Sequence, residues 1–356
     1  MISVYLARVA QIQDDPGFIV GPISHVFGYV IDFIFNIVYG LTTHHSLGLS
    51  LIFLTIIVRF LMLPMFAKQQ KSMMKMQQLN PEIQKIRDKY GKTKDPEIQQ
   101  KMNVEIQAVY SKNKVNPLGG CLPMLITMPL FFGLSYIMNQ SYMFISKLGG
   151  VYRDLAAQIY ACIDPNIHPG VDPQFFEGVK NLALPYVPQK MLDAQSLNIS
   201  VPDQFAKILN KFNTDSWEAL FAQIGTYAPD NLSGIRELFT HKEAIETFFS
   251  LSLTNASGWS WPGILIPLLT GLTTLLSSWL STQMTTVTDE RSRTTQRTMM
   301  IVMPVMMAVM TVGMPAGVGL YWITSSVFQV VQQVIMNSRS GIPFKLPFIG
   351  GGNKPD

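Results

Sequence analysis

Five stretches of helix length that carry almost no charge constrain this chain more than any other feature of its sequence. They cover residues 46–66, 119–139, 259–281, 298–314 and 316–336, and together they contain one formal charge, Arg59. A helix needs about 20 mostly apolar residues to cross the hydrocarbon core of a bilayer. Of the whole chain 14% is charged, whereas a soluble domain averages about 25%. The sequence therefore predicts an all-α polytopic membrane protein with five transmembrane helices.

The charge distribution between these stretches predicts their orientation. Residues 67–117 hold eleven Lys/Arg and five Asp/Glu, whereas residues 140–258 hold eight and twelve. Short loops rich in Lys and Arg stay on the cytoplasmic side, whereas long loops cross largely regardless of charge. The prediction is an outer N-terminal tail (1–45), a basic cytoplasmic loop (67–118), an outer insert (140–258), a cytoplasmic loop (282–297) with Arg291, Arg293 and Arg297, a fifth span (315–336) and a cytoplasmic tail (337–356).

Residues 18–41 are apolar enough to cross the membrane, yet their pattern is one-sided. Apolar residues recur at helical spacing: Ile23, Val26, Phe27, Val30, Ile31, Ile34, Ile37 and Val38. More polar or small residues lie mostly on the other side: Ser24, His25, Gly28, Asp32 and Asn36. A helix with such a pattern lies in the membrane interface. We favour this interfacial helix over a sixth span.

The basic loop carries two helix-start signals. Asn80-Pro81-Glu82 and Asp95-Pro96-Glu97 each combine a capping residue, a proline and an acidic first turn, and Gly91 lies between them. Apolar residues at helical spacing could face each other across the two helices: Ile83, Ile86 and Tyr90 on the first, and Ile98, Met102, Ile106 and Val109 on the second. The sequence predicts an antiparallel helical hairpin.

The outer insert is rich in proline but contains helical patterns between the prolines. Ser233 could cap a helix that continues to Leu253. Its apolar side would carry Ile235, Leu238, Phe239, Ile245, Phe248 and Phe249. Cys162 is expected in a polar loop of the insert, and Cys121 in a span. We predict a small and mostly helical domain.

Arg59 lies inside the first span, where a charged side chain costs about 2.5–3.5 kcal/mol on insertion scales. The five spans contain no Asp or Glu that could pair with it. The guanidinium must then be solvated by water, hydroxyls, amides or carbonyls, which predicts a polar cavity within the membrane. The alternative is that Arg59 extends to the nearer surface and anchors the helix. The seven residues 60–66 between Arg59 and the basic loop favour the cavity.

The other spans supply polar faces that could line this cavity. Thr55 lies one turn from Arg59 on the same face. The third span has a hydroxyl stripe: Thr270, Thr273, Thr274, Ser277, Ser278 and Ser281. The fifth span has a further polar set: Trp322, Ser325, Gln329, Gln332 and Gln333. Small hydroxyl residues also serve at close helix contacts in membranes, and for the stripe alone this packing role is the stronger interpretation.

Methionines form one face of the fourth span: Met303, Met307, Met310 and Met314. Flexible thioethers suit a surface that accepts apolar partners of varied shape. Ordinary lipid-facing or core methionines would give the same pattern. This span has 17 residues and rises about 26 Å at 1.5 Å per residue, so hydrophobic mismatch would thin the bilayer locally or favour close association with the fifth span.

Several kinds of chemistry lack their motifs. The chain has no nucleotide-binding G-x-x-x-x-G-K-[ST], no H-E-x-x-H and no G-x-S-x-G. His44-His45 has no obvious further metal ligand, so a solvated or interfacial pair is expected. Two cysteines provide neither a disulfide framework nor a thiolate site. We expect no catalytic residues, no cofactor and no metal, and hence no enzyme.

Four segments resemble the YidC-type membrane protein insertases of the YidC/Oxa/Alb superfamily, in the same order. They are LTIIVRFLMLP around Arg59, NPLGGCLPMLITMPLFFGL from Asn116, PLLTGLTTLL in the third span and MPAGVGLYWITSSVFQVVQQ from Met314. The resemblance implies five spans around a hydrophilic groove that is open to the cytoplasm and to lipid, with Arg59 in the groove and Thr55 and Trp322 facing substrate. Ser277 and Ser278 stand where many relatives have amides, and the insert is longer than usual.

This resemblance implies that the protein moves hydrophobic segments of newly made proteins from the cytoplasm into the bilayer. The expected partners are nascent membrane proteins and the lipid bilayer, with the Sec translocon and the ribosome as further candidates, and no sequence-specific nucleic acid. The expected location is the bacterial plasma membrane. The tail after Met336 has three basic residues, Arg339, Lys345 and Lys354, which is few for ribosome binding. A channel or transporter, or a scaffold for other membrane complexes, remains as an alternative.

Overall fold

A computed structural model of the chain describes residues 17–42, 44–91, 95–115, 122–163, 172–186, 202–283 and 290–339. Contacts divide it into two compact units. The first contains the described parts of residues 1–54, 129–264 and 311–320, and the second those of residues 55–128, 265–310 and 321–356. Both units are built almost wholly of helices.

The helices before the insert are α1 (Gly17–Leu41), α2 (Ser46–Gln78), α3 (Asn80–Tyr90), α4 (Pro96–Lys112) and α5 (Leu122–Asn139). The insert has α6 (Ser141–Phe144), α7 (Ser146–Ile163), α8 (Pro173–Ala183), a 3-10 turn (Leu184–Tyr186), α9 (Pro202–Leu209), α10 (Thr214–Tyr227), α11 (Pro229–Glu246), β1 (Thr247–Phe248) and β2 (Leu251–Ser252). The last helices are α12 (Leu265–Gln283), α13 (Glu290–Val312) and α14 (Ala316–Arg339).

Each predicted span contains a helix. In the part of the chain that the structure describes, three helices are long and apolar enough to cross a membrane. These are Val20–Leu41, Ser46–Met76 and Leu265–Thr282, and Met300–Val312 is a shorter apolar helix. The third span was expected from residue 259, but α12 begins at Leu265 because turns occupy residues 261–264. Helix α13 begins at Glu290, eight residues earlier than expected. Residues 119–121 of the second span lie outside the described residues.

The core of the first unit lies in the insert, where α7 packs against α6, α9 and α11. Aromatic side chains fill it, and the largest ones are almost inaccessible: Tyr152, Phe175, Phe205, Phe212, Trp217 and Phe221. Cys162 was expected in a polar loop, but it is buried in α7, and its Sγ contacts the backbone oxygen of Gln158 at 3.1 Å. Burial raises the pKa of this thiol. The insert therefore has a folded core of its own.

The predicted helix from Ser233 to Leu253 is wrong at both ends. Helix α11 begins at Pro229, because this proline occupies the first turn and its fixed φ suits a helix start. The helix ends at Glu246, and the chain then turns back in the β1–β2 hairpin, with Phe248 paired to Leu251. Phe248 and Phe249 consequently do not belong to the apolar face of a helix.

Helix α1 forms over the expected residues, but its buried face differs from the predicted apolar face. Val26 and Ile37 belong to the predicted apolar face and are 63% and 52% exposed. Ser24 and Gly28, expected on the opposite side, are buried. The close approach of α5 explains this change, since a Cβ at Gly133 would lie 3.0 Å from the Ile23 side chain. Small residues thus permit the contact.

Asp32 of α1 takes part in the tertiary packing of the first unit. Its carboxylate accepts hydrogen bonds from the Ser146 backbone N–H at 2.8 Å and from the Ser146 hydroxyl at 2.7 Å. Ser146 is the first residue of α7, where backbone N–H groups have no partner within the helix. Asp32 therefore caps α7 from another helix.

The connection between α13 and α14 is bound to the insert by backbone hydrogen bonds. Ala256 forms a β-bridge with Pro315, and the Gly258 N–H donates to the Val312 carbonyl at 3.0 Å. The Gly317 N–H donates to the Leu253 carbonyl at 2.9 Å, and a Cβ at Gly317 would lie 2.8 Å from the Met138 sulfur. A larger residue would not fit at position 317. The insert therefore holds this turn through main-chain contacts.

In the second unit, α3 and α4 form the predicted hairpin. Ile83, Ile86 and Val109 are buried between the two helices, with Tyr90, Met102 and Ile106 packed against them. Asp95 caps α4 as expected, since its side chain accepts a hydrogen bond from the Glu97 N–H at 2.9 Å. The predicted cap at Asn80 is wrong: Asn80 is itself helical, because α3 follows α2 with Leu79 alone between them.

Candidate functional site

Arg59 lies on α2 within the second unit and bonds to α14. Its Nε donates a hydrogen bond to the Ser325 hydroxyl at 2.7 Å, and Nη2 donates to the same oxygen. The guanidinium carbon lies 5.4 Å from the centre of the Phe66 ring, about two turns further along α2. Ser325 is buried, whereas Arg59 is partly exposed. The cation is thus held by a hydroxyl and by an aromatic face.

No carboxylate in the described part of the chain forms an ion pair with Arg59. A guanidinium has five N–H donors, and one serine oxygen satisfies few of them. None of the described residues accepts a hydrogen bond from Nη1 of Arg59. This atom is also not among the fully buried side-chain atoms without a partner. The Arg59 residue is nevertheless partly exposed, so water or a polypeptide segment is able to reach part of it.

Polar side chains also connect α12 to α14. The Trp322 indole N–H donates to the Thr274 hydroxyl at 2.9 Å. Further along both helices, the Gln333 amide donates to the Ser281 hydroxyl, which in turn donates to the Ser277 carbonyl at 3.0 Å. Ser325 lies between Trp322 and Gln333 on α14. The Arg59 bond therefore joins a row of polar contacts within the second unit.

The hydroxyl stripe of α12 contributes to this helix contact. Thr270, Thr274 and Ser277 are buried, whereas Thr273 is partly exposed and bonds back to the Leu269 carbonyl at 2.7 Å. Gly271 sits on α12 next to α13, where an added Cβ would lie 3.2 Å from the Ala308 Cβ. Small residues therefore allow close packing in this unit, as the packing interpretation of the stripe predicts.

The remaining polar site residues are buried to different degrees. Thr55 is 1% exposed, and Ser277 is buried, whereas Ser278, Gln329 and Gln332 are partly buried. Three of the acceptors have no donor among the described residues although the atoms are buried: Gln332 Oε1, Gln333 Oε1 and Thr270 Oγ1. The described residues therefore leave the hydrogen-bonding capacity of these atoms unused.

The methionine face of α13 is not uniform. Met307 is buried, Met303 is partly buried and Met310 is 39% exposed. Met314 lies beyond the end of α13 in the first unit. Met306, on another side of the helix, is 47% exposed. Exposed apolar surface on α13 therefore comes from valines and isoleucine as much as from methionine: Ile301, Val302, Val305 and Val309.

Two residues near Arg59 were not predicted from the sequence. Phe66 contacts the guanidinium, and the buried Tyr321 interacts electrostatically with Arg59 and hydrogen bonds with Ser325. The i, i+7 spacing of Arg59 and Phe66 on one helix could have revealed the first contact. Nothing in the sequence indicates that Tyr321, rather than its neighbour Trp322, adjoins the cation.

The helices and the site define a polytopic all-α membrane protein that holds an arginine among hydroxyl and aromatic side chains of its apolar helices. The chain belongs to the 60Kd inner membrane protein family, the YidC/Oxa1 family, whose sequence model matches residues 37–196 and 217–341. This match includes Arg59, most of the insert and the three last helices. It confirms the fold class and the family that the sequence indicated.

Curated relatives are bacterial proteins named as membrane protein insertases. The chain is 41% identical over 116 residues to membrane protein insertase MisCA of Bacillus subtilis, covering 33% of this chain and 41% of that one. It is 33% identical over 147 residues to a YidC of Fusobacterium nucleatum, covering 41% and 62%. A YidC of Alkalihalophilus pseudofirmus is 40% identical over 115 residues, covering 32% and 45%. The chain thus spans less than two thirds of the length of each.

Proposed function

We propose that this protein inserts hydrophobic segments of newly made membrane proteins into the bilayer of a bacterial plasma membrane. Its membership of the 60Kd inner membrane protein family supports this function, as do relatives named as membrane protein insertases. Helices α2 and α12, which carry several of the site residues, are long and apolar enough to cross a membrane. The reaction needs no covalent chemistry, because transfer of an apolar helix into lipid is itself favourable, by roughly 25 cal/mol per Å² of apolar surface.

The observation that carries this proposal is the environment of Arg59. Its guanidinium bonds to Ser325 and retains donors that no described residue accepts. A polar or acidic flank of an entering segment supplies such acceptors as carbonyl or carboxylate oxygens. Thr55, Ser277, Ser278, Gln329 and Gln332 would line the same hydrophilic groove. The flank then crosses part of the membrane while solvated by side chains and water, which shortens its path through hydrocarbon.

The apolar part of the substrate would slide along the last two spans into lipid. Met303, Met307, Met310 and Met314 were assigned this role from the sequence, and exposed Met306, Val305 and Val309 extend the surface on α13. Thioethers and aliphatic side chains accept helices of varied shape because they make no directional bonds. The release step would require only that the segment contacts lipid on its free side.

The proposed orientation has the N-terminus outside and the C-terminus in the cytoplasm. The basic hairpin would then lie in the cytoplasm, as the excess of Lys and Arg favours. Exposed lysines of the hairpin and of the end of α2 would meet substrates, the ribosome or anionic lipid: Lys68, Lys71, Lys75, Lys89 and Lys101. Cooperation with the Sec translocon is part of the same proposal.

A photo-crosslinking experiment tests this function. A photoreactive amino acid is placed at Thr55 or Trp322 while a single-span substrate is held on the ribosome. Ile57 and Val331, which lie on the opposite faces of α2 and α14 and are 44% and 53% exposed, serve as matched controls. We expect strong adducts at the first pair that disappear when the substrate is released. Adducts of equal strength at all four positions would contradict the proposed groove.

A further inference from the structure

Aromatic residues of the first unit differ widely in exposure. Those in the core of the insert are at most 3% exposed, including Trp217, Phe205 and Phe212. In contrast, Phe249, Trp259 and Trp261 are 78%, 66% and 76% exposed. Large exposed apolar groups of this kind mark surfaces that meet a partner or a membrane.

Phe249 lies beside the start of the first span. The ring of His45 stacks on Phe249 with a centroid distance of 6.3 Å, and His45 immediately precedes Ser46, where α2 begins. The His45 N–H also donates to the Ala244 carbonyl at 2.9 Å. The neighbouring Phe248 ring packs directly on Gly48, at a distance that leaves no room for a Cβ. The tip of the β1–β2 hairpin is thus level with the end of a span.

Trp259 and Trp261 occupy a corresponding position before the third span. They lie six and four residues before Leu265, where α12 begins. The preceding Gly258 donates its N–H to the Val312 carbonyl, at the last residue of α13. Both tryptophans therefore follow a point fixed at the end of one apolar helix and precede the start of a span-capable one.

Phe249 occupies a strained backbone conformation at the tip of the β1–β2 hairpin. Phe249 and Ser250 have φ angles of 48° and 64°, as a two-residue turn between paired strands requires. Asn and Gly adopt this conformation readily, whereas a bulky residue with positive φ is an outlier. Strained residues of this kind occur where a function retains them. His45 and Phe248 contact the Phe249 ring, yet the residue remains 78% exposed.

We propose that Phe249, Trp259 and Trp261 form an aromatic anchor that inserts into the headgroup region of the bilayer and holds the insert against the membrane. Tryptophan and other aromatic side chains favour this region because the ring enters the apolar boundary, while the indole N–H still bonds to headgroups or water. The occupant is lipid, since the three residues flank segments that themselves enter lipid. This inference does not depend on the insertion activity.

Spin-label depth measurements on the full chain test the anchor. Cys121 and Cys162 are replaced by alanine, and one cysteine at a time is introduced at position 249, 259 or 261 for a nitroxide label. Asn231, exposed on α11 and thirteen residues before Ala244, is the matched control. The protein is reconstituted as single copies in nanodiscs of phosphatidylcholine and phosphatidylglycerol. Collisions with oxygen, which partitions into lipid, and with a water-soluble nickel chelate are then compared.

We expect the ratio of oxygen to nickel collisions to be several-fold higher at 249, 259 and 261 than at 231. A label at 249 that meets nickel as freely as one at 231 would overturn the anchor, because the ring would then face water. Protection from both reagents would also overturn it, since this indicates burial against protein. Single-copy nanodiscs leave no second molecule to provide such burial in the native arrangement.

A second measurement avoids labels at the anchor itself. The variant W217F/W279F/W322F keeps Trp259 and Trp261 as its tryptophans. Their fluorescence is recorded in bilayers brominated either near the headgroup or deep in the acyl chain, and with aqueous iodide. The anchor predicts stronger quenching by the shallow bromine than by the deep one and weak quenching by iodide. Strong iodide quenching with no effect of either brominated lipid would contradict it.

Discussion

Lys242 in the first unit and Arg59 in the second both carry a positive charge away from bulk water, and their surroundings differ. Lys242 is 3% exposed and pairs with Glu246, which is 1% exposed. Its Nζ lies 4.8 Å from the centre of the Phe239 ring and 5.3 Å from that of Trp217. Arg59 has a hydroxyl partner in Ser325, and no described carboxylate pairs with it. Glu246 therefore neutralises Lys242 within the fold, whereas Arg59 is left without a neutralising carboxylate among the described residues.

Further bonds complete the environment of Glu246. Its carboxylate accepts from the Tyr152 hydroxyl at 3.2 Å and from Thr254 and Ser252 at 3.3 Å each. Burial, with the charge of Glu246, raises the pKa of Tyr152 well above its ordinary value, so this hydroxyl stays protonated and continues to donate. A buried pair whose remaining lone pairs are satisfied keeps one geometry. The Lys242–Glu246 charges therefore specify structure, whereas the Arg59 donors that no described residue accepts suit a passing ligand.

The largest expected effect follows from breaking the buried pair. Glu246→Leu leaves Lys242 buried without its anion, and this should lower the stability of the insert by about 3–5 kcal/mol. Thermal unfolding, followed by intrinsic fluorescence in nanodiscs, measures the loss. The control is the double variant K242M/E246L, in which both charges are replaced, and it should recover most of the stability. Equal losses in the single and double variants would show that the pair has no special role.

Arg59→Met should lower the insertion activity without lowering the stability of the protein, the reverse of Glu246→Leu. Removal of a cation from a span relieves an insertion cost of about 2.5–3.5 kcal/mol, so the unfolding temperature should be unchanged or higher. Insertion of a substrate with an acidic flank should fall on the order of tenfold, since a hydrogen bond to a charged group contributes about 1.5–3 kcal/mol. Protease protection of the substrate in proteoliposomes measures this.

Two controls sharpen the Arg59 result. Arg59→Lys keeps the charge but loses the planar fork of donors, so it should retain part of the insertion activity. A substrate whose flank is neutral should respond less to Arg59→Met than one whose flank is acidic. If Arg59→Met unfolds as readily as Glu246→Leu, the proposed contrast between the two cations is wrong.

A smaller loss of stability is expected for Asp95, whose carboxylate accepts a hydrogen bond from the Glu97 backbone N–H. Asp95→Ala removes the cap of α4 and should destabilise the hairpin by about 1 kcal/mol. Asn80→Ala is the comparison variant, because Asn80 occupies the same sequence pattern but lies inside its helix instead of at the capping position. Hydrogen exchange of the first turn of α4 should accelerate in Asp95→Ala, while the first turn of α3 should be unaffected in Asn80→Ala.

The smallest effect is expected for the exposed pair on the hairpin. Lys89 Nζ lies 3.0 Å from a Glu105 oxygen. The hydrogen bond between them raises the pKa of Lys89 and lowers that of Glu105. The Glu105 contribution to stability is thus present above its ordinary unfolded pKa and lost as pH falls through the lowered folded pKa. The Lys89 contribution is present below its unfolded pKa and lost as pH rises through the raised one.

Glu105→Gln should therefore change hairpin stability slightly at neutral pH and not at all in strong acid. Salt should remove the difference, because exposed pairs are screened. Hydrogen exchange of α3 and α4 as a function of pH and salt is the measurement. If Glu105→Gln lowered the hairpin stability independently of salt, the Lys89–Glu105 pair would resemble the buried Lys242–Glu246 pair, and the expectation of a weak, screened pair would be wrong.

Local patterns explain which predictions about the fold are confirmed. The helices of the hairpin and their buried residues Ile83, Ile86 and Val109 follow from 3.6-residue periodicity and from Asp95, which caps its own helix. The predicted cap at Asn80 is wrong because the adjoining helix α2 extends to Gln78. The helix from Ser233 to Leu253 is wrong because a long-range partner, His45, bonds to Ala244 and Thr247, where α11 gives way to the hairpin. Such contacts have no signature in local sequence.

In the candidate site too, local patterns identified residues, but they did not predict which residues contact each other. Arg59, Ser325 and Trp322 were identified because polar residues are conspicuous in apolar helices. Which of them meet was not predictable, since three helices must pack before Arg59 reaches Ser325 and Trp322 reaches Thr274. The stripe on α12 allowed both a packing and a lining role, and the structure uses Thr274 and Ser281 at the contact with α14.

The sequence by itself determined the class of this protein, because uncharged stretches of about 20 residues can satisfy their backbone in a membrane only as helices. It also determined that Arg59 would find no anion within the spans. The tertiary structure alone decided that Asp32 caps α7 instead of facing water, that Lys242 is neutralised by Glu246, and that Phe249 stands exposed beside the start of α2. These outcomes depend on the distance between residues far apart in the chain, and a one-dimensional pattern carries no information about that distance until the helices pack.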